Sequence, residues 1–284
     1  LQCRKVVHSH ILKQQTVITG YFYIQFGRIA TLSSVPMARR KSLAFLDVGQ
    51  GDCFVADTKS GAIIFDGGSS SEDQVGRYRI LPYMKYLGYQ KIQIAVISHM
   101  DIDHYSGIKE LLEMGKIKYL GLPEIPKDET MKKIIGIAKK RGTTIFYLSR
   151  GRQITTKDGS LKVLHPQKNS QMEKNAASLV MQGKILGYRV LLTGDVEKEG
   201  EEELLSEELE RADILKAAHH GSKNSTSNEF LQKVQPKQTV ISCGKQNRYG
   251  HPHLETIHRL QTYRTKIYRT DRSGAIIFFK RRDG

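Results

Sequence analysis

The chain has 284 residues, 39% of them hydrophobic, with a formal net charge of +16 and a sequence pI near 9.7. That length and apolar fraction can furnish a sizeable core and exclude a low-complexity polypeptide, while the Lys and Arg surplus favours a polyanionic partner. Cys3, Cys53 and Cys243 are too few and too widely spaced for a disulfide framework or a zinc knuckle, and no run approaches the ~18 consecutive apolar residues of a membrane span.

Residues 1–41 hold seven Lys or Arg and no Asp or Glu. They read as a basic leader or linker, the remnant of a longer protein, ahead of one domain over 42–284. Residues 43–46, 53–56 and 62–65 are β-type runs divided by glycine-containing turns, as in an antiparallel meander. Ile80, Leu81, Met84 and Leu87 make a helical stripe closed by Gly88, residues 94–97 a further strand, and 108–112 a short helical pattern. A helix over 131–141 follows, then strands over 144–148, 161–164, 178–181 and 188–192. Next come an acidic amphipathic helix over 197–211, a strand over 214–218, a helix over 228–234, a strand over 239–243, a helix over 254–263 and a strand over 275–279. Strands in both halves with helices between them predict an α/β fold of two facing sheets covered by helices, a four-layer αββα sandwich. A single doubly wound sheet fits the early hairpins poorly.

Polar chemistry gathers at the strand ends. His99-Met-Asp101-Ile-Asp103-His104 follows the apolar run 94–97, so four metal-capable side chains stand in a loop that can aim them at one centre or two. Imidazole suits zinc, manganese and iron, and carboxylate oxygen shifts the preference to harder ions. Asp66 follows a strand and precedes Gly67-Gly68, which let a backbone approach closely; alone it reads as an Asx turn. Asp195, just beyond 188–192, is placed to bridge two ions. His219 and His220 both need polar partners and read as metal or phosphate contacts. Ser222 and Lys223 lie ahead of a helix N-terminus, where a phosphate is well held. His165 reads as a surface residue at a strand end, and Cys53 and Cys243 as buried free thiols.

The order Asp66, HxDxDH, Asp195, His219-His220 resembles the metallo-β-lactamase superfamily. Within it, Leu46-Asp47-Val-Gly-Gln-Gly-Asp52, Ser98-His99 through Gly107, Leu192-Thr-Gly-Asp195, Leu215-Lys216 through Ser222 and Tyr249-Gly-His251-Pro252 are similar to the C-terminal domain of ComEC competence proteins, over residues 42–282. The superfamily's usual motif is HxHxDH. Here Asp101 replaces its second His, and the third-motif His falls near Asn175. Oxygen in place of nitrogen shifts the expected cofactor, two divalent ions, toward Mn2+, with Zn2+ or Mg2+ as alternatives.

The resemblance implies that His99 and Asp101, with Asn175, hold one ion, and that Asp103, His104 and one of His219 or His220 hold the other, with Asp195 shared. Asp66, Asp103 and His220 would form the catalytic set, with Asp66 orienting water or histidines. Ser222, Lys223, His251 and the Lys/Arg excess would grip the substrate backbone. The implied function is a metal-dependent phosphodiesterase acting on single-stranded DNA, without sequence preference, in competence-type uptake. Its partner would be the membrane channel of a longer parent protein, placing this soluble domain at the extracytoplasmic face. Competing readings are a hydrolase of small phosphoesters or lactones and a catalytically silent DNA-binding module.

Overall fold

The computed structural model describes residues 40–172, 175–207 and 209–280; the expected leader, but for Arg40 and Lys41, lies outside them. The first three apolar runs form the meander: β1 (Ser42–Phe45), β2 (Phe54–Thr58) and β3 (Gly61–Phe65) pair antiparallel. A wide turn of π type (Gly76–Ile80) leads into α1 (Leu81–Tyr86), where Pro82 sits in the first turn and costs no hydrogen bond. Then β4 (Ile92–Val96), β5 (Ile117–Pro123) and β6 (Thr144–Leu148) add on parallel to β3, linked by α2 (Ile102–Glu113) and α3 (Glu129–Lys140). The Asp128 carboxylate caps α3 by accepting from the Met131 N–H at 2.7 Å.

The second sheet starts with the antiparallel strands β7 (Gln153–Thr156), β8 (Gly159–His165), β9 (Val180–Ile185) and β10 (Tyr188–Leu192). It continues parallel through β11 (Ile214–Lys216), β12 (Gln238–Ile241) and β13 (Lys266–Arg269), with α4 (Lys198–Leu205), α5 (Asn228–Val234) and α6 (Leu254–Thr262) as crossovers. A single turn, α7 (Thr270–Ser273), precedes β14 (Ile276–Phe279), which crosses back to pair with β1. Each sheet has seven strands, ordered β14-β1-β2-β3-β4-β5-β6 and β13-β12-β11-β10-β9-β8-β7.

The inner faces meet in one core in which Leu43, Phe45 and Phe65 pack with Leu161, Met181, Leu192 and Val240. Ala44, Val55 and Ile64 point the other way, under Ile80, Ile108 and Ile134, while Leu191, Leu215 and Ile241 meet Leu204, Phe230 and Leu260. These are the four layers of the expected αββα sandwich. Covered on both faces, β1 and β2 are buried at every position, which is why they read as continuous apolar runs.

Three strands escaped the sequence reading. β5 is interrupted by Gly121 and ends on Pro123, and β7 and β13 are short edge strands with half-polar sequences. The helix expected over 197–211 stops at Leu205. Beyond it the chain runs alongside β9, where Gln182 exchanges hydrogen bonds with the Glu210 backbone, at 2.7 Å to its C=O and 3.0 Å from its N–H.

Candidate metal centre

The strands β1, β3, β4, β10 and β11 all run toward the same end of the sandwich, and the loops after them carry the polar side chains. Backbone bonds knit these loops together. The Asp52 N–H donates to the Asp103 carbonyl at 3.0 Å, the Gly68 N–H to the Asp52 carbonyl at 3.1 Å, and the Gly67 N–H to the His104 carbonyl at 2.8 Å. At Gly68 a Cβ would fall 2.5 Å from the Ile102 carbonyl oxygen and 2.6 Å from the His104 nitrogen, so only glycine allows this approach.

Asp195 lies at the centre. Its Oδ2 is 3.2 Å from His104 Nε2 and 3.3 Å from His220 Nε2, while His219 Nε2 stands off at 3.8 Å. His220 Nε2 is also 3.3 Å from Asp103 Oδ2. The ring of His99 lies 4.1 Å from that of His104, tilted by 49°, and its Nε2 is 3.7 Å from Asp101 Oδ2. Donor atoms of His99, His104 and Asp195 lie within 4.8 Å of one another, as do those of Asp103, His104 and His220, and of Asp52, Asp195 and His220.

The outward nitrogens are set from behind. Asp66, fully buried and left-handed at φ 57°, receives the Ser98 N–H at 2.7 Å and holds His104 Nδ1 at 2.9 Å. His220 Nδ1 is 3.0 Å from the Ser242 carbonyl, and His99 Nδ1 is 3.0 Å from Ser98 Oγ and 3.3 Å from Ser178 Oγ. The Nε2 atoms of His99, His104 and His220 are buried, and none makes an aligned hydrogen bond. Buried nitrogens with that much carboxylate around them suit a divalent cation, so the donor set fits the metal expected from the sequence.

His219 and His220 both adopt left-handed backbone, φ 46° and 52°. A non-glycine pair there costs roughly 1–2 kcal/mol per residue. The turn sends the two rings apart, His220 into the cluster and His219 to Glu197, 2.7 Å from its Nδ1.

Charge is concentrated accordingly. Burial would lower the His220 pKa, but the Asp195 and Asp52 charges and close contact with Asp103 push it up to about 10. Burial would raise Asp103, yet His220 and His104 hold it at about 2. Asp195 is likewise held low against its burial by His104, His220 and Lys216.

Two functional groups did not stand out as ligands in the sequence. Asp52 and Lys216 form a buried ion pair, and Lys216 Nζ also donates to the Gly194 carbonyl at 2.9 Å and lies 3.4 Å from Asp195 Oδ1. Lys216 comes from a strand whose neighbours are apolar, and the sequence signal for it is a cation inside the buried run Ile214–Lys216.

Other expectations land differently. The Asn175 carbonyl accepts the Ser178 N–H at 3.0 Å, and Ser178 supplies the hydroxyl beside His99. The N-terminus of α5 is already filled: Ser227 caps it, and the buried Glu201 carboxylate accepts the Thr226 and Ser227 N–H groups. Ser222 is buried, its N–H given to the His219 carbonyl at 2.8 Å, whereas Lys223 is exposed. His165 is not a surface residue. It is fully buried, with Nε2 2.7 Å from the Ala176 carbonyl and Nδ1 3.1 Å from Glu203. Cys53 and Cys243 are buried thiols.

His251 precedes a cis proline, and its ring lies 5.4 Å from that of His219 and 6.2 Å from that of His220. Burial, then the His220, His219 and His253 charges, lower its pKa to about 4, so it faces the cluster as a neutral ring. At the opposite end of the sandwich, among the described residues, the connections entering β3, β4, β5, β6, β12 and β13 carry Lys59, Lys91, Lys116, Arg141, Lys237 and Arg264.

Residues 46–245 match the family model described as metallo-beta-lactamase superfamily. The chain is 37% identical to ComE operon protein 3 of Bacillus subtilis, over 84% of this chain and 33% of that protein. It is 30% identical to competence protein ComA of Neisseria gonorrhoeae, over 84% and 32%. It thus spans about a third of the length of these relatives. Among solved structures, the metallo-beta-lactamase fold protein YhfI from Bacillus subtilis superposes with a TM-score of 0.57 at 12% identity, covering 83% of this chain and 99% of that one. Among the described residues no helix is long and apolar enough to cross a membrane.

Proposed function

The chain belongs to the metallo-beta-lactamase superfamily, and on that premise we propose that it is a metal-dependent phosphodiesterase acting on DNA during uptake. The observation that carries this reading is the convergence of His104 and His220, with His99 alongside, on the single buried carboxylate of Asp195. The two relatives, one of them named a competence protein, support DNA uptake as the setting.

In this reading His99, Asp101 and Asp195 would hold one divalent ion, and Asp103, His104, His220 and Asp195 a second. Two such ions would supply Lewis acidity toward a phosphate and toward water. Asp66 fixes the tautomer and direction of His104, and Lys216 fixes the direction of Asp195. His220, chosen over His219, has the shorter approach to Asp195 and a backbone carbonyl behind it. The carboxylate oxygens of Asp101, Asp103 and Asp195 favour Mn2+ or Mg2+ over Zn2+. The parent protein would bring the domain to the outer face of a membrane channel.

The test is cleavage of single-stranded DNA and of a small phosphodiester by the purified chain with manganese. Wild type is expected to cut DNA and Asp103→Ala to lose the activity. Turnover of the small ester with none of DNA would move the assignment to a small-molecule hydrolase. DNA affinity without manganese-dependent cutting in either protein would identify a silent binding module.

A further inference from the structure

Exposed apolar and aromatic side chains stand beside the candidate metal centre. Seven large apolar residues are exposed among those described, and three of them stand on the loops that carry or face the cluster. Ile102, 53% exposed, lies between Asp101 and Asp103; Leu254, 82% exposed, opens α6 directly after His251-Pro252-His253; Tyr249 is 43% exposed.

Tyr249 is the best placed of them. Its ring stacks on that of His251 at 5.7 Å between centroids and 22° between planes, and His251 in turn contacts His219 and His220. A short ladder of rings therefore runs from solvent to the cluster. Arg248 lies over the Tyr249 ring at 4.9 Å, near enough for its charge to interact with Asp103. The loop is held in shape by Asn247, whose side chain accepts the His251 N–H at 3.0 Å and donates to the His251 carbonyl at 2.6 Å. Beside it opens a cavity of ≈ 510 Å³ lined by Asn247, His251, Pro252, Leu254 and Arg269, among others. His251 is nine-tenths buried, and its Nδ1 has no hydrogen-bond partner.

We propose that this rim is a stacking site for unpaired nucleobases, with Tyr249 as its platform, Arg248 as the adjoining cation and the cavity beside His251 receiving the neighbouring nucleotide. The inference rests on the nuclease reading for its substrate. Aromatic rings next to a guanidinium accept any base, because every base has a π face, and they reject a duplex whose bases are already stacked. A phosphate at the cluster would leave its adjoining base within reach of the ring ladder. Selectivity for single strands would then come from the rim.

The test separates binding from cleavage. Affinity for a fluorescent single-stranded oligonucleotide is measured by anisotropy with metal chelated, in elevated salt, alongside an abasic strand of equal length. Tyr249→Ala and Tyr249→Leu are expected to weaken binding to the normal strand about tenfold, and Tyr249→Phe and Tyr249→Trp to retain it. On the abasic strand all five proteins should bind alike. Wild-type affinity in Tyr249→Leu, or an equal loss on the abasic strand, overturns the proposal. Cleavage with manganese is scored separately on the same samples. Wild type that binds as expected and never cuts would sink the nuclease reading and leave the stacking site standing.

Discussion

Asp195 divides its two oxygens between Lys216 and the imidazoles: Oδ1 lies 3.4 Å from Lys216 Nζ, and Oδ2 is left to His104 and His220 at 3.2 and 3.3 Å. The ammonium group, buried between strands, thereby sets which face of the carboxylate is open to a metal. Burial would lower the Lys216 pKa, but the charges of Asp52 and Asp195 raise it, so it is a fixed cation at any working pH.

Lys216→Met therefore leaves Asp52 and Asp195 buried without their cation. We expect the metal-free protein to lose roughly 3–5 kcal/mol of stability, the cost of breaking a buried pair from one side. Bound divalent cations should restore part of it. Urea unfolding with and without metal measures both; a loss below about 1 kcal/mol in the metal-free protein would contradict this role.

The metal-free cluster should be most stable in mildly acidic solution. His220 is raised to about 10, so its contribution is complete below the ordinary histidine value and is lost as pH rises through 10. Asp103 is lowered to about 2, so its contribution is complete above the ordinary carboxylate value and is lost as pH falls toward 2. Both act fully between about pH 4 and 6.5. A metal must displace the His220 proton, so its affinity should climb with pH and its binding release protons. Calorimetry in two buffers of different ionisation enthalpy reads the proton count, and zero release would refute the assignment.

Gly68→Ala inserts a methyl against the Ile102 carbonyl and the backbone of Asp103 and His104. The segment carrying Asp103 and His104, both assigned to the second ion in the proposed function, must move, so metal affinity and activity should both collapse, beyond the 10–100-fold typical of a lost outer-shell contact. Metal titration of a variant that still unfolds cooperatively is the check; affinity within tenfold of wild type would show that the loop yields harmlessly.

Asp101 separates binding from folding. Its side chain is 37% exposed, and it precedes α2 without capping it through a side-chain hydrogen bond. Asp101→Ala should change stability by no more than about 0.5 kcal/mol while lowering metal content from two ions per chain toward one. Elemental analysis decides it, and unchanged stoichiometry would remove Asp101 from the ligand set.

Much of this protein could be read from its residues in order. Apolar runs of four or five residues between Gly-containing turns specify buried strands, because a strand covered on both faces has no polar side to show, and their mixing with helices specifies the αββα layers. The polar side chains that meet at their ends stood out because His and Asp have no cheap structural role at the tip of a buried strand. What the order of residues left open was every choice that depends on two distant segments meeting. The left-handed turn at 219–220 sends His220 to Asp195 and His219 to Glu197. The parallel pairing of β10 with β11 brings Lys216 beside Gly194, and the hydrogen bonds among 52, 68 and 103 bring Asp52 to the same centre. These contacts span up to some 160 residues of sequence, and local propensity carries no record of such pairings.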